Sequence, residues 1–167
     1  TNTPDVLTDE VADLGIAFDG DADRIGAVDN EGNILWGDKL MILYARNVLK
    51  QVPGAAVVGE VKCSQTLYDD IAKHGGKPVM WKAGHSLIKA KMREIDAALG
   101  GEMSGHIFFR HRFYGFDDAI YAAGRLVELV AASAVSIKDM LADVPVTYST
   151  AELRSDCPEE IKFALVS

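Results

Sequence analysis

Residues 55–81 read AAVVGEVKCSQTLYDDIAKHGGKPVMW, and this stretch decides the fold class. The apolar run 55–59 predicts a buried strand, the segment after it predicts a helix to about His74, and 79–81 predict a second strand. The glycine pair at 75–76 ends the helix. Two strands joined by one helix and short links are expected to lie parallel in the same sheet.

The same alternation continues on both sides of this stretch, with turn residues between the apolar runs. Further strands are predicted at 14–18, 25–28, 34–36, 97–101 and 107–109, and further helices at 38–50, 86–93 and 117–132. Asp38 is the predicted cap of the first of these helices, Asp117 opens the last, and the run 14–18 is predicted to be buried. The sequence therefore predicts an α/β fold, a mixed sheet with flanking helices.

Length and charge limit the classes of function. The chain has 167 residues, of which 49% are hydrophobic, enough for one domain or for one domain with parts of its neighbours. The net charge of -8 argues against nucleic acid and against an anionic membrane surface as partners, since both attract basic surfaces. A small phosphorylated ligand stays compatible with this charge, because a few local cations are enough to bind it.

The two cysteines and the apolar runs indicate the compartment. Cys63 and Cys157 form neither a metal-type spacing nor a disulfide framework, which favours a reducing cytoplasm. The longest apolar stretches end well before the ~18 residues of a membrane-spanning helix. The polar segment 1–13 does not read as a signal peptide, and the missing initiator methionine indicates a trimmed chain.

The strongest local signal is DGDADR at residues 19–24, called the acidic loop below, which directly follows a predicted strand. Its three carboxylates alternate, so in a loop they can converge on one point, where they repel each other unless a cation lies among them. Hard anionic oxygens suit Mg²⁺ or Ca²⁺. An EF-hand is excluded because loop positions six and twelve are Arg24 and Asn30 instead of glycine and glutamate.

Two other interpretations of the acidic loop stay open at this point. A solvated acidic turn is the simpler one. A phosphatase that forms an aspartyl-phosphate also carries Asp-x-Asp after a buried strand, with Asp19 as the nucleophile. Arg24 suits bidentate binding of a phosphate beside a metal, or a salt bridge to the loop carboxylates.

A second polar loop, GEMSGH at residues 101–106, follows another predicted strand and is called the GEMSGH loop below. Glu102 and Ser104 alternate, so both side chains are predicted to lie on one side. A carboxylate beside a hydroxyl suits recognition of vicinal sugar hydroxyls, which donate to the one and exchange hydrogen bonds with the other. A plain turn is the alternative.

Basic residues follow two more strands. Lys62 comes after 55–59, and Lys82 and His85 come after 79–81 at the start of a helix, whose free N–H groups attract anions. A surface lysine and a hydrogen-bonded histidine are the simpler interpretations. In open α/β sheets ligands collect at the carboxyl ends of strands, where Asp19 and Glu102 also fall, so one shared site is predicted.

Taken together, these segments resemble the α-D-phosphohexomutases. The acidic loop resembles their metal loop, the GEMSGH loop resembles their sugar-binding loop, and its Met103 is typical of the bacterial phosphomannomutase/phosphoglucomutase branch. Matches to that branch also occur at VKCS (61–64), WKAGHSLIK (81–89) and YGFDD (114–118). The resemblance runs in the right order through about residues 12–130.

The resemblance implies four domains around a deep cleft, built on a repeated α/β domain. Residues 1–29 are then the tail of the metal-binding second domain, 30–142 the sugar-binding third domain, and 143–167 a linker and the start of the phosphate-binding fourth domain. The family's phosphoserine lies in a Ser-His-Asn segment that this sequence does not contain. The chain alone is therefore expected to be inactive, and the missing domains 1, 2 and 4 are its expected partners.

The implied function is an isomerase that interconverts hexose 1-phosphate and hexose 6-phosphate through a hexose bisphosphate, with Mg²⁺ as cofactor. The implied metal ligands are Asp19, Asp21 and Asp23, and the implied substrate contacts are Glu102, Ser104 and His106. The candidates for phosphate contact or proton transfer are Arg24, Lys62 and His85, with His106 as a weaker one.

Two competing functions are kept beside this one. An aspartyl-phosphate hydrolase needs a second carboxylate cluster and a lysine to support Asp19, for which residues 117–118 and Lys89 are available. A non-catalytic module that binds metal or sugar phosphate needs neither. Only the mutase accounts for both polar loops together.

Overall fold

The computed structural model describes residues 12–148, together with 157, 158 and 161. The polar segment before residue 12, the last residues of the predicted connector 144–150 and most of the predicted fourth-domain segment lie outside this range. None of the helices in the described part is long and apolar enough to cross a membrane.

The described residues form seven strands and five helices in the predicted alternation. The strands are β1 (Leu14–Phe18), β2 (Ile25–Asp29), β3 (Ile34–Leu35), β4 (Ala56–Glu60), β5 (Lys77–Trp81), β6 (Leu99–Gly101) and β7 (Ile107–Phe109). The helices are α1 (Gly37–Gln51), α2 (Gln65–Lys73), α3 (His85–Glu94), α4 (Ala119–Ala131) and α5 (Ile137–Met140).

The strands form two sheets. The first is antiparallel with the order β1-β2-β3, and the second has the order β5-β4-β6-β7. In the second sheet β4 is parallel to β5 and to β6, whereas β6 and β7 are antiparallel. The predicted α/β fold with a mixed sheet and flanking helices is confirmed.

Helices cover both faces of the second sheet, because its strands are apolar on both sides. On one face Val57 of β4 packs in the main core with α1, α2 and α4. On the other face Val58 packs with Ile88 and Met92 of α3 and with Phe108 of β7. Neighbouring residues of one strand thus enter opposite cores, and the polar loops are left at the strand ends.

The start of α1 differs from the prediction. Trp36, not Asp38, is its N-cap, and Asp38 lies in the first turn, where its carboxylate accepts a hydrogen bond from the Ser64 N–H at 3.2 Å. A Cβ on Gly37 would collide with the backbone oxygens of the GEMSGH loop residues Glu102 and Met103. The helix therefore begins directly against this loop, in a place that only glycine fits.

Two other expectations need correction, and one helix was not predicted. The run 14–18 is only partly buried, and Phe18 is 46% exposed, because β1 is the edge strand of the small antiparallel sheet. The N-cap of α4 is Asp118, which accepts from the Tyr121 N–H at 2.8 Å, so Asp117 does not open the helix and is free for other contacts. The short helix α5 carries no apolar periodicity long enough to be predicted, and its start is capped by Ser136.

Candidate active site

The acidic loop connects the antiparallel strands β1 and β2. Ala22 adopts a positive φ of 57°, which turns the chain back, and the Arg24 N–H donates to Oδ1 of Asp19 at 3.2 Å. Carboxylate oxygens of Asp19, Asp21 and Asp23 lie within 4.8 Å of one another. The predicted convergence of the three carboxylates is therefore present in the structure.

The charge of this loop is only partly compensated by the chain. The Arg24 Nε lies 3.5 Å from Asp19 Oδ2 and 3.6 Å from Asp23 Oδ1. Partial burial alone would raise the pKa of the Asp19 carboxyl, but the hydrogen bond from the Arg24 N–H, contacts with Asp23 and the guanidinium charge lower it below its usual value. Among the described residues, one guanidinium thus contacts two of the three loop carboxylates, which leaves the loop with net negative charge.

One carboxylate oxygen of the acidic loop indicates which kind of ligand the loop would bind. The Oδ1 atom of Asp23 is buried and forms no hydrogen bond with any residue that the structure describes. A buried carboxylate oxygen without a partner is costly unless a cation or water reaches it. Three carboxylates whose oxygens lie within 4.8 Å of one another fit a hard divalent cation such as Mg²⁺.

The GEMSGH loop connects β6 to β7 and reaches back to the acidic loop. Gly105 has a φ of +95° and its carbonyl accepts from the Ile25 N–H at 3.1 Å, while a Cβ on Gly105 would collide with the Ile25 carbonyl. Arg24 and His106 form an isolated antiparallel bridge beside this contact. The two predicted loops, although they belong to different sheets, are joined backbone to backbone.

His106 is the side chain on which the two loops meet. Its Nδ1 lies 2.8 Å from Glu102 Oε2 and 3.1 Å from Ser104 Oγ, so Glu102 and Ser104 converge on one atom as their alternation predicts. Its Nε2 lies 3.1 Å from Asp23 Oδ2 and 3.4 Å from Arg24 Nε. His106 is buried. A buried imidazole therefore connects the predicted metal ligands to the predicted sugar contacts.

The start of α3 closes the site on another side. Glu102 Oε1 accepts from the Gly84 N–H at 2.6 Å, so the free N–H group at this helix terminus is used by the chain itself. The ring of His85 is stacked on that of His106 with 5.6 Å between the ring centroids. His85 is therefore part of the site, whereas Lys82 is exposed beside it.

Asp117 is a residue of the site that sequence reasoning assigned to a helix start. Its carboxylate lies 3.1 Å from His85 Nδ1 and 2.9 Å from Lys89 Nζ, and it belongs with Asp23 and His106 to a second group of close potential ligand atoms. Burial alone would raise the pKa of Asp117, but the hydrogen bond from Lys89, its positive charge and the contact with His85 lower it. The YGFDD match at residues 114–118 was a sequence signal that could have identified it.

Glu60 is a second residue of the site that was not identified from the sequence. It ends β4 and is 1% exposed, its Oε1 accepts from the Met103 N–H at 2.8 Å, and its Oε2 lies 3.8 Å from Lys62 Nζ. Burial raises the pKa of Glu60, while the bond from Met103 and the charge of Lys62 act against that rise. No motif contained this glutamate, and its position at a strand end was the signal that could have identified it.

The predicted residues lie close together, but only some of them do so because they follow parallel strands of one sheet. The ends of β4, β5 and β6, which carry Lys62, His85 and Glu102, do lie at one edge because these strands are parallel. Asp19 belongs to the separate antiparallel sheet. The acidic loop enters the site through its contacts with Gly105 and His106 instead of through a common sheet.

Comparison with known proteins identifies relatives for most of the chain. The family model described as phosphoglucomutase/phosphomannomutase, alpha/beta/alpha domain III, matches residues 36–148. The phosphomannomutase/phosphoglucomutase of Pseudomonas syringae pv. tomato is 48% identical over 155 residues, 93% of this chain and 33% of that protein. The phosphoglucomutase of Neisseria gonorrhoeae is 46% identical over 148 residues, 89% of this chain and 32% of that protein. The chain thus spans about a third of the length of these curated relatives.

Solved structures agree with these relatives. A phosphoglucomutase/phosphomannomutase family protein from Burkholderia thailandensis superposes with a TM-score of 0.79 at 45% identity, over 88% of this chain and 33% of that one. An Aspergillus fumigatus N-acetylphosphoglucosamine mutase, solved with GlcNAc-6P and magnesium, has a TM-score of 0.65 at 19% identity, over 80% of this chain and 33% of that one, a likeness of fold alone. These matches confirm the resemblance drawn from the sequence motifs. The chain belongs to the phosphoglucomutase/phosphomannomutase family.

Proposed function

We propose that this chain forms the central part of a phosphohexomutase that interconverts hexose 1-phosphate and hexose 6-phosphate, with glucose or mannose as the sugar, through a hexose bisphosphate. The observation that carries the proposal is the contact of His106 with Asp23 on one side and with Glu102 on the other. A cluster that fits a cation and a loop that fits sugar hydroxyls are thereby parts of one site.

The acidic loop is the proposed magnesium site, with Asp19, Asp21 and Asp23 as ligands. Bound Mg²⁺ supplies positive charge against the phosphoryl group during its transfer. Asp23 Oδ1, which is buried and accepts no hydrogen bond from a described residue, supports this assignment. Arg24 is exposed while its Nε stays beside the loop carboxylates, so its remaining N–H donors are available to hold a phosphate bidentately.

The GEMSGH loop is the proposed sugar contact. The two oxygens of Glu102 each accept one hydrogen bond from the chain, which fixes the carboxylate and leaves further lone pairs for sugar hydroxyls. The exposed Ser104 hydroxyl lies beside it, bonded to the same His106. A rigid carboxylate next to a hydroxyl can hold the sugar in both of the orientations that the two phosphate positions require.

Two basic side chains lie near this loop and are candidates for contact with a phosphate. The side chains of Lys62 and His85 are about half exposed, and both lie beside residues that contact the GEMSGH loop. We assign them, with Arg24, to phosphate contact or proton transfer. The Asp117 carboxylate, 3.1 Å from His85 Nδ1, helps to fix the orientation of that imidazole.

The remainder of the enzyme is proposed from the family. Residues 1–29 would complete the metal-binding domain, and residues 30–142 would form the sugar-binding domain. Residues 143–167 would begin the phosphate-binding domain. The phosphoryl group would come from a phosphoserine in another domain. The proposed boundary near residue 30 falls between β2 and β3 of the three-stranded sheet, whose last strand ends at Leu35. A cytoplasmic location is supported by two free cysteines, one of them exposed.

The aspartyl-phosphate hydrolase is not favoured. Lys89, the lysine that such a reaction would require beside Asp19, forms its ion pair with Asp117 instead. The Pseudomonas and Neisseria relatives carry the names of mutases. The isolated chain is expected to behave as a module that binds metal and sugar phosphate without catalysis.

A product analysis tests the proposed function. The full-length protein that contains this chain is incubated with glucose 1-phosphate or mannose 1-phosphate, Mg²⁺ and a trace of the hexose bisphosphate, and hexose 6-phosphate and inorganic phosphate are measured separately. We expect hexose 6-phosphate from at least one sugar and no turnover by residues 1–167 alone. Release of inorganic phosphate without hexose 6-phosphate would overturn the proposal in favour of a hydrolase.

A further inference from the structure

We infer that Glu60 is a positioning residue that holds the ammonium group of Lys62 in a fixed relation to the GEMSGH loop. The inference rests on the proposed function for its effect on turnover, but its structural part can be tested without it. Glu60 contributes no atom to the acidic loop or to the helix start at Gly84, so its role is separate from those contacts.

The two oxygens of Glu60 face two different parts of the site. Oε1 accepts a hydrogen bond from the Met103 N–H at 2.8 Å, and Met103 lies between the proposed sugar contacts Glu102 and Ser104. Oε2 lies 3.8 Å from the Lys62 Nζ, two residues further along the chain. One carboxylate therefore contacts both the sugar loop and a candidate phosphate contact.

The backbone around Glu60 is rigid, so the carboxylate has little freedom to move. Its carbonyl accepts hydrogen bonds from the Tyr68 hydroxyl at 2.6 Å and from the Cys63 N–H at 3.0 Å. A Cβ on the preceding Gly59 would approach the Tyr68 hydroxyl oxygen to 2.8 Å. The end of β4 is thus held by α2, and Glu60 projects from a fixed point.

The charge of Glu60 is costly where it lies. The side chain is 1% exposed, burial raises the pKa of Glu60, and the nearby Glu102 carboxylate acts in the same direction. A neutral acceptor such as glutamine would satisfy the Met103 N–H equally well. What the charged form adds is attraction for Lys62, whose ammonium has three donors and a side chain that is 52% exposed. The ammonium is thereby held at the site with donors left for a phosphate.

The first arm of the test measures turnover in the full-length protein. Glu60→Gln keeps the acceptor for Met103 and removes the charge opposite Lys62. Glu31→Gln is the matched control, because it also removes the carboxylate of an ion pair with a lysine. Glu31 follows β2, at the end of that strand opposite Arg24, and its exposed carboxylate lies 2.7 Å from Lys138 Nζ. We expect Glu60→Gln to raise the KM for hexose 1-phosphate by about 3- to 5-fold, the size of a partly exposed ion pair, with kcat and the melting temperature little changed.

A double-mutant cycle assigns this effect to Lys62. In a Lys62→Met background, Glu60→Gln is expected to change KM by less than about 2-fold, because the cation on which it acts is absent. Equal effects of Glu60→Gln in both backgrounds, or no effect in either, would overturn the inference. Failure of the proposed function is recognised separately, because the unsubstituted protein then makes no hexose 6-phosphate.

A second arm depends on neither the activity nor the stability of the Glu60 variant. The protein is labelled with ¹⁵N-methionine, and the amide signal of Met103 is followed in Lys62→Met and in Lys138→Met. Because Met103 donates to the carboxylate that Lys62 faces, its amide signal is expected to shift in the first variant and to stay unchanged in the second. An unchanged Met103 signal in Lys62→Met would show that Glu60 does not connect the two groups.

Discussion

The Nε2 atom of His106 lies 3.1 Å from Oδ2 of Asp23, although 83 residues separate them in the chain. This contact joins the last carboxylate of the acidic loop to the last residue of the GEMSGH loop. The His106 ring is held from its other side by Glu102, so a carboxylate orients an imidazole that faces a proposed metal ligand. Such an arrangement holds the imidazole ring in place between the two loops.

The acidic loop is expected to bind Mg²⁺ through all three of its carboxylates. Asp21→Asn removes one anionic ligand from the group and should weaken Mg²⁺ affinity by about 10-fold or more. Asp69→Asn, on the exposed side of α2, is the matched control and should leave the affinity unchanged. Isothermal titration with MgCl₂ measures both. Equal affinities in the two variants would remove the acidic loop as the metal site.

Gly105 is expected to be essential for the joint between the two loops. Gly105→Ala places a side chain at a positive φ and against the Ile25 carbonyl, so it should destabilise the protein by about 2 kcal/mol or more. A Cβ on Gly124 in α4 would meet no atom within 4 Å, so Gly124→Ala should be neutral or stabilise by ~0.5–1 kcal/mol. Urea unfolding of the two variants measures the difference. Similar unfolding midpoints would contradict the observed loop contact.

The two cysteines are expected to differ in reactivity. Burial raises the pKa of the Cys63 thiol to about 12, with the Glu60 and Asp38 charges acting in the same direction, whereas Cys157 is exposed. Near neutral pH only Cys157 should react quickly with iodoacetamide, because the thiolate is the reactive form. Peptide mass spectrometry of the native and urea-unfolded protein identifies the modified residue. Rapid labelling of Cys63 in the native protein would contradict its burial.

Asp143 provides a pH-dependent contribution to stability outside the site. Hydrogen bonds from Lys73 and Arg46 lower its pKa from 3.8 to about 2. Because the folded pKa is the lower one, the ionised carboxylate stabilises the fold above about pH 4, and this contribution is lost as the pH falls from there to about 2. Asp143 is about half exposed, so Asp143→Asn should cost less than about 1 kcal/mol at pH 7. A cost that is the same at pH 7 and at pH 3 in denaturant titrations would contradict this assignment.

Most of the fold could be predicted from the sequence because its strands and helices have clear periods. The runs at β4 and β5 and the helix between them lie within one or two residues of their predicted bounds. The start of α1 was misplaced because Asp38 is a good N-cap by type, whereas the close approach of Gly37 to another loop is a tertiary contact that no local pattern records. The partial exposure of β1 was missed for the same reason, since an apolar run does not indicate which other residues pack against it.

Only the part of the candidate site that lies in short sequence motifs could be predicted from the sequence. The acidic and GEMSGH loops carry several functional groups in a short stretch, so their alternation was visible in the sequence. Glu60 and Asp117 are single carboxylates whose roles depend on Met103, Lys62, Lys89 and His85, which lie elsewhere in the chain. Asp117 also precedes the true N-cap Asp118, and a helix start explains two adjacent aspartates equally well.

The most direct test of the central claim is the fate of a labelled phosphoryl group. The full-length protein, Mg²⁺, ³²P-labelled hexose 1,6-bisphosphate and excess unlabelled hexose 1-phosphate are mixed, and the label is followed by chromatography. A mutase that works through a bisphosphate transfers the label into hexose monophosphates and regenerates bisphosphate, and this is the result we predict. Appearance of the label as inorganic phosphate, without conversion of the excess hexose 1-phosphate to hexose 6-phosphate, would contradict the claim that the two loops form a mutase site.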